Sequence, residues 1–268
     1  MTRFALMLAG VALLLAAPLT EARGGQPAAA GKMKVFILSG QSNMVGQGTA
    51  REVPAELAAE DPNVLLWSQD KWTPLKPAGR VGPEISFGKE MAKAWPGQKI
   101  GIVKFAVGGT SVTQWDPDKK GGGKRGALYA RLMGYVRAAR DKTPGGVEFV
   151  GLIWMQGERD SRDGKLAAAY TTNLKKFVDR VRKDTGAANL PFVLGRIRTP
   201  DSYKFRDVVR KAQTEVTANI PNSAWADADG LEMKGDNLHY NTKGQMGLGQ
   251  RFAKVYLELV AGKAKTAK

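Results

Sequence analysis

Short apolar runs that alternate with amphipathic stretches constrain this chain more than any other feature of its sequence. Residues 34–39, 100–106, 147–155 and 191–197 read as buried strands, and 223–227 as a weaker fifth. Helical patterns fill the intervals at about 83–95, 126–141, 164–185, 203–219 and 242–261. In the fourth of these, Val208, Val209, Ala212, Val216 and Ile220 recur at helical spacing. Pro83 suits an early helical turn, and Gly186 a stop after the third helix. Such alternation predicts a three-layer α/β/α sandwich, a parallel sheet of about five strands with helices on both faces. Sites in sheets of this kind form beyond the carboxyl ends of the strands. The 268 residues, 43% of them hydrophobic, are enough for one sizeable core, taken as a single domain over 34–262. Residues 48–82, rich in Pro, Trp and polar groups, read as a surface excursion shaping one wall of a cleft.

The chain ends are read apart from the fold. Met1-Thr2-Arg3, the uncharged apolar run 4–18 and Thr20-Glu21-Ala22 predict a signal peptide over 1–22, cleaved near Ala22. The expected location is therefore secreted or periplasmic, with an uncleaved N-terminal anchor as the alternative. Residues 23–33 read as a flexible lead-in and 263–268 as a basic tail. No other segment is a transmembrane candidate. The absence of cysteine removes thiolate catalysis and cysteine metal ligands. The formal charge of +16 is spread along the chain with no nucleic-acid-binding motif. It reads as a solvated basic surface, with an anionic polysaccharide or envelope surface as the alternative partner.

Four segments directly follow expected strands: Gly40-Gln41-Ser42-Asn43, Val107-Gly108-Gly109-Thr110-Ser111, Gln156-Gly157-Glu158-Arg159-Asp160 and, across a loop, Asp236-Asn237-Leu238-His239. Together they hold what acyl transfer needs: a nucleophile, a base, a group orienting the base, and donors for an oxyanion. Ser42, at a strand-to-helix turn, exposes a hydroxyl near a helix N-terminus with its backbone N–H toward an incoming carbonyl. Gly108 and Gly109 let a backbone N–H approach, and the Gln156 amide offers a third donor. His239, the only histidine, sits three residues after Asp236, so the carboxylate can hold the imidazole against Ser42.

These blocks, from Phe36 to Met44, Gly108 to Ser111, Trp154 to Asp160 and Asp236 to Tyr240, resemble those of the SGNH hydrolase superfamily. More narrowly they are similar to its sialate O-acetylesterase/acetylxylan esterase branch, carbohydrate esterase family 6, in order over residues 34–260. The resemblance implies a flavodoxin-like SGNH fold and a serine esterase that removes O-acetyl groups from xylan, sialate or another acetylated glycan. The reaction would pass through an acetyl-serine intermediate with neither cofactor nor metal. It implies Ser42, Asp236 and His239 as the triad, with the Ser42 N–H, the Gly109 N–H and Gln156 as the oxyanion hole. Gln41, Asn43 and Gly108 would support them, as would Glu158 and Asp160 by hydrogen bonds to the nucleophile loop, with contact to substrate as the alternative for these two. The wider superfamily has Asn where this chain has Gln156, and the Gly-x-Ser-x-Gly pattern of α/β-hydrolases is absent. The alternatives are an esterase acting on a non-carbohydrate acyl ester, or a non-catalytic protein that binds a glycan or the cell envelope.

Four further residues or segments carry expectations of their own. Asn43 is expected to cap a turn, and Arg159 to pair with a neighbouring carboxylate. Trp115 is either a sugar-stacking platform or the packing of a loop. Asp227-Ala228-Asp229-Gly230 reads as a turn that lacks the further ligands of a calcium loop.

Overall fold

The computed structural model describes Met1 and residues 31–121 and 127–263; the expected signal segment 1–22 and most of the lead-in and basic tail lie outside the described residues. Strand β1 (Met33–Gly40) runs into the one-turn helix α1 (Ser42–Val45). Then follow β2 (Gly48–Thr49), α2 (Ala55–Ala58), β3 (Val64–Ser68), β4 (Lys71–Pro74), β5 (Arg80–Val81), α3 (Glu84–Ala94), β6 (Ile100–Ala106) and α4 (Leu128–Asp141). The remainder is β7 (Val147–Met155), α5 (Gly164–Ala168), α6 (Tyr170–Thr185), β8 (Phe192–Arg196), α7 (Arg206–Asn219), β9 (Ser223–Asp227) and α8 (Thr242–Val260).

The main sheet has seven strands in the order β4-β3-β6-β1-β7-β8-β9. Every neighbouring pair is parallel except β3–β4. The expected five strands are the five from β6 to β9. The other two come from the segment read as a surface excursion. Its Pro- and Trp-rich composition hides the short run Val64–Trp67, whose Val64 and Trp67 are buried once β6 lies alongside. The helix expected over 164–185 is two helices divided at Ala169. The break turns Tyr170 inward, and its hydroxyl donates to the Gln156 carbonyl at 2.7 Å.

β1 is the centre of the core, with Val35, Phe36, Ile37 and Leu38 fully buried, as a strand covered on both faces requires. Phe36 meets Phe87 of α3 and Tyr256 of α8 edge to face, both at 4.9 Å. Room for that ring is made on β7, where a side chain at Gly151 would meet it at 2.8 Å. On the opposite face Trp154 lies 4.6 Å from Phe177 of α6, and Phe105 stacks on Tyr135 of α4 at 5.3 Å. Each such burial contributes on the order of 2 kcal/mol. Chain order reverses direction at β1, since β3 and β6 lie to one side and β7, β8 and β9 to the other. The carboxyl end of β1 is therefore the switch point where a crevice opens. Among the described residues no helix is long and apolar enough to cross a membrane.

Helices α3 and α8 approach with their backbones nearly touching. A Cβ at Gly249 would stand 2.2 Å from the Pro83 carbonyl oxygen and 2.2 Å from Ser86 Oγ. The Ser86 hydroxyl donates to the Met246 carbonyl at 2.6 Å across the same seam. Gly249→Ala should therefore overpack the interface and cost about 1–3 kcal/mol. Thermal unfolding would then show a Tm lower by about 2–12 °C.

Candidate active site

Three chain segments meet at the carboxyl end of β1, and glycine starts the convergence. Gly40 has φ of 145°, and a Cβ there would sit 2.0 Å from the Met155 carbonyl oxygen. Only glycine lets β1 close so tightly on β7 before turning into α1. Gln41 N–H then donates to the Met155 carbonyl at 2.8 Å, and Ser42 begins the helix.

Ser42 Oγ lies 3.0 Å from His239 Nε2, and His239 Nδ1 lies 2.6 Å from Asp236 Oδ2. This is the arrangement in which an imidazole can accept a hydroxyl proton while a carboxylate fixes its tautomer. Asp236 Oδ1 accepts the backbone N–H groups of Leu238 and His239 at 3.0 and 2.9 Å. Partial burial opposes the charge on Asp236, but these donors and the imidazole outweigh it and hold the carboxyl at about 2. Asn237, with φ of 51°, makes the left-handed turn that brings the two side chains together. The Lys234 N–H donating to the His239 carbonyl at 2.7 Å and a bridge between Met233 and Tyr240 close this loop.

Gly108 packs directly on the serine, with its missing Cβ 3.6 Å from Ser42 Cβ. Gly109 follows with φ of 68°. Among the described residues neither the Ser42 nor the Gly109 N–H has a hydrogen-bond partner, so both are available beside the hydroxyl. The Gly109 loop is anchored from below. The Thr110 carbonyl accepts from Gln156 Nε2 at 2.8 Å, and the Val112 N–H donates to Asp160 at 3.1 Å.

That anchoring corrects the expectation for Gln156 as an oxyanion donor. The side chain is fully buried, its amide is spent on the Thr110 carbonyl and on Asp160 Oδ2 at 2.5 Å, and it does not line the cleft. Gln156 supports the loop that carries Gly109. Asp160 has the same supporting place, and burial raises its carboxyl to about 7 against the pull of Gln156 and the Val112 N–H. Glu158 is buried too and accepts Gln41 Nε2 at 2.5 Å and Asn43 Nδ2 at 2.8 Å. Burial raises its carboxyl as well, opposed by these donors and by His239.

Asn43 does not cap a turn. It sits inside α1, bonds Glu158 and the Leu238 carbonyl through Nδ2, and accepts the Tyr240 N–H at 3.2 Å. Arg159 forms no ion pair among the described residues; it is exposed on the cleft wall, while its chain neighbours Glu158 and Asp160 are buried. Trp115 is fully buried, 5.3 Å from Trp154, with Nε1 donating to Thr110 Oγ1 at 3.1 Å, so it packs the loop and presents no platform. Asp227 and Asp229 form a turn whose carboxylates engage Arg196, with Arg210 also on Asp229.

The cleft over Ser42 and His239 has a volume of about 330 Å³. Gln47, Arg162 and Tyr203 complete its wall, and Arg162 lies 5.2 Å over the Tyr203 ring. None of the three was singled out from sequence. Tyr203 lies in the segment following β8, so the rule that pointed to the other four segments also points to it.

Residues 32–258 match the family described as carbohydrate esterase, sialic acid-specific acetylesterase. The chain belongs to this family. It is a carboxylic ester hydrolase, as its resemblance implies. It is 31% identical over 250 residues to a probable carbohydrate esterase of Arabidopsis thaliana, covering 84% of this chain and 90% of that one. A crystal structure of an Arabidopsis thaliana protein superposes with a TM-score of 0.74 at 28% identity, covering 85% and 98% of the two chains. The structure of a carbohydrate acetylesterase from Xanthomonas citri shares the fold, with a TM-score of 0.67 at 19% identity over 85% of this chain and 56% of that one.

The buried Asp160 links stability to pH. Between its ordinary value of 3.8 and about 7, the unfolded chain has released a proton that the folded chain retains. Stability therefore falls as pH rises through this window, and Asp160→Asn removes that contribution. Whatever the offset at low pH, the Tm of Asp160→Asn relative to wild type should climb between about pH 4 and about pH 7. A difference that stays flat across the window would show that Asp160 ionises normally in the fold.

Proposed function

We propose that the protein deacetylates an O-acetylated sugar through an acetyl-Ser42 intermediate. The observation that carries this reading is the chain of contacts from Ser42 Oγ to His239 Nε2, 3.0 Å, and from His239 Nδ1 to Asp236, 2.6 Å. His239 Nε2 takes the Ser42 proton as Oγ bonds to the acetyl carbonyl carbon. The oxyanion that forms faces the N–H groups of Ser42 and Gly109, each donor being worth about 2.7–4 kcal/mol in the transition state. Collapse breaks the bond to the sugar oxygen, which receives the proton from His239. A water then gives its proton to His239 and its oxygen to the acyl carbon, releasing acetate and restoring Ser42. Asp236 stays ionised throughout, stabilising the imidazolium without taking its proton.

A carbohydrate as the alcohol is supported by the family and by the wall of Arg159, Arg162, Tyr203 and Gln47, which offers polar donors and one aromatic ring. Hydrolysis of p-nitrophenyl acetate and butyrate by residues 23–268 tests the reading. Acetate should be strongly preferred, and Ser42→Ala and His239→Ala should each lower kcat/KM by at least about 10³-fold. Variants equal to wild type would overturn the assignment of these residues, and a preference for long acyl chains would overturn the acetyl specificity. We further place the reaction in the periplasm or outside the cell, on the apolar run at 4–18 that precedes Ala22. Protein recovered from the expressing cell should then begin at or near Arg23 on N-terminal sequencing, whereas a start at Met1 would remove this placement.

A further inference from the structure

A second cavity of about 840 Å³ opens on the same end of the sheet, over the carboxyl ends of β3 and β6. Short stretches of chain link its lining to that of the catalytic cleft. Val45, on its rim, closes the helix that Ser42 opens, about 4.5 Å of helical rise away. Ala106, also on its rim, ends β6 two residues before Gly108.

The far wall is α4, and two of its residues are unusual. Tyr135 stacks on Phe105 at 5.3 Å with an interplanar angle of 23°, yet is 42% exposed. One face of its ring is thus supported, with much of the residue left to solvent. Beside it stands Gly134, in the interior of a fourteen-residue helix. Glycine there costs about 0.5–1 kcal/mol relative to alanine, so it calls for a reason. Packing supplies one for the glycines of α8: a Cβ at Gly244, Gly247 or Gly249 would meet a neighbour at 2.0, 2.7 or 2.2 Å. At Gly134 a Cβ would meet nothing within 4 Å among the described residues. The missing side chain leaves room in the cavity and relieves no contact in the protein.

We propose that this cavity is a second carbohydrate subsite, which takes the sugar unit neighbouring the acetylated one. The pyranose ring lies on Tyr135, and its hydroxyls enter the space kept open at Gly134. An apolar ring face flanked by polar groups is what a sugar presents to an aromatic side chain. The substrate is accordingly an oligomeric or polymeric glycan and not a lone acetylated sugar. This inference rests on the deacetylation proposed above.

Acetylated xylo-oligosaccharides of one to about six units, compared with p-nitrophenyl acetate, test it. For wild type, kcat/KM should rise with oligomer length. Tyr135→Ala should lower the ratio of kcat/KM on the longer oligomers to that on p-nitrophenyl acetate by about 3- to 10-fold, mainly through KM. Gly134→Ala should lower the same ratio while raising Tm by about 1–4 °C, a combination that damage to the helix cannot produce. Wild-type ratios in both variants, or rates independent of length, would overturn the subsite while Ser42-dependent cleavage of p-nitrophenyl acetate left the deacetylation standing. Absence of that cleavage would remove the deacetylation and the subsite together.

Discussion

A buried carboxylate holds the reacting end of this molecule together. Glu158, on the turn after β7, accepts hydrogen bonds from Gln41 and Asn43 on either side of Ser42. Asn43 in turn grips the backbone on both sides of His239, through the Leu238 carbonyl and the Tyr240 N–H. The hydroxyl and the imidazole come from segments 197 residues apart, and this hub joins them. Burying a carboxylate costs several kcal/mol unless donors surround it, and here the donors are the parts that must be aligned. The cost of the charge therefore becomes a penalty on any arrangement in which Ser42 and His239 drift apart.

Three acidic groups near the cleft have separate work because their surroundings differ. Asp236 is half open to solvent and ringed by N–H donors, so it keeps its charge. Glu158 and Asp160 are enclosed, and enclosure pushes both carboxyls upward. The first faces the imidazole; the other two position loops. Environment divides the roles among chemically similar side chains. The loop carrying Gly109 shows the same economy: Gln156, Thr110, Asp160 and Trp115 together fix one backbone N–H.

Much of this was legible in the residues, and the gaps have physical causes. Continuous apolar runs gave away the central strands because a strand buried on both faces has no polar alternation to disguise it. Ser42, Asp236 and His239 stood out because each follows a strand and the chain has one histidine. β3 escaped because its burial depends on β6, which is distant in sequence. The place of Gln156 escaped because an amide offers donors in any direction, and Thr110 and Asp160 decide which. Asn43 looked like a cap because its partners, Glu158 and Tyr240, are more than a hundred residues away.

The antiparallel strand β4 also governs how the molecule meets its own kind. It is the outermost strand on its side of the sheet, with Lys71 and Pro74 exposed at its two ends. Proline has no N–H to lend to a further strand, and a lysine on a free edge would have to be stripped of water for another chain to dock. A parallel edge of β3 alone would have offered a bare ladder of amides. By folding back for four residues, the chain ends its sheet on a border that discourages edge-to-edge association.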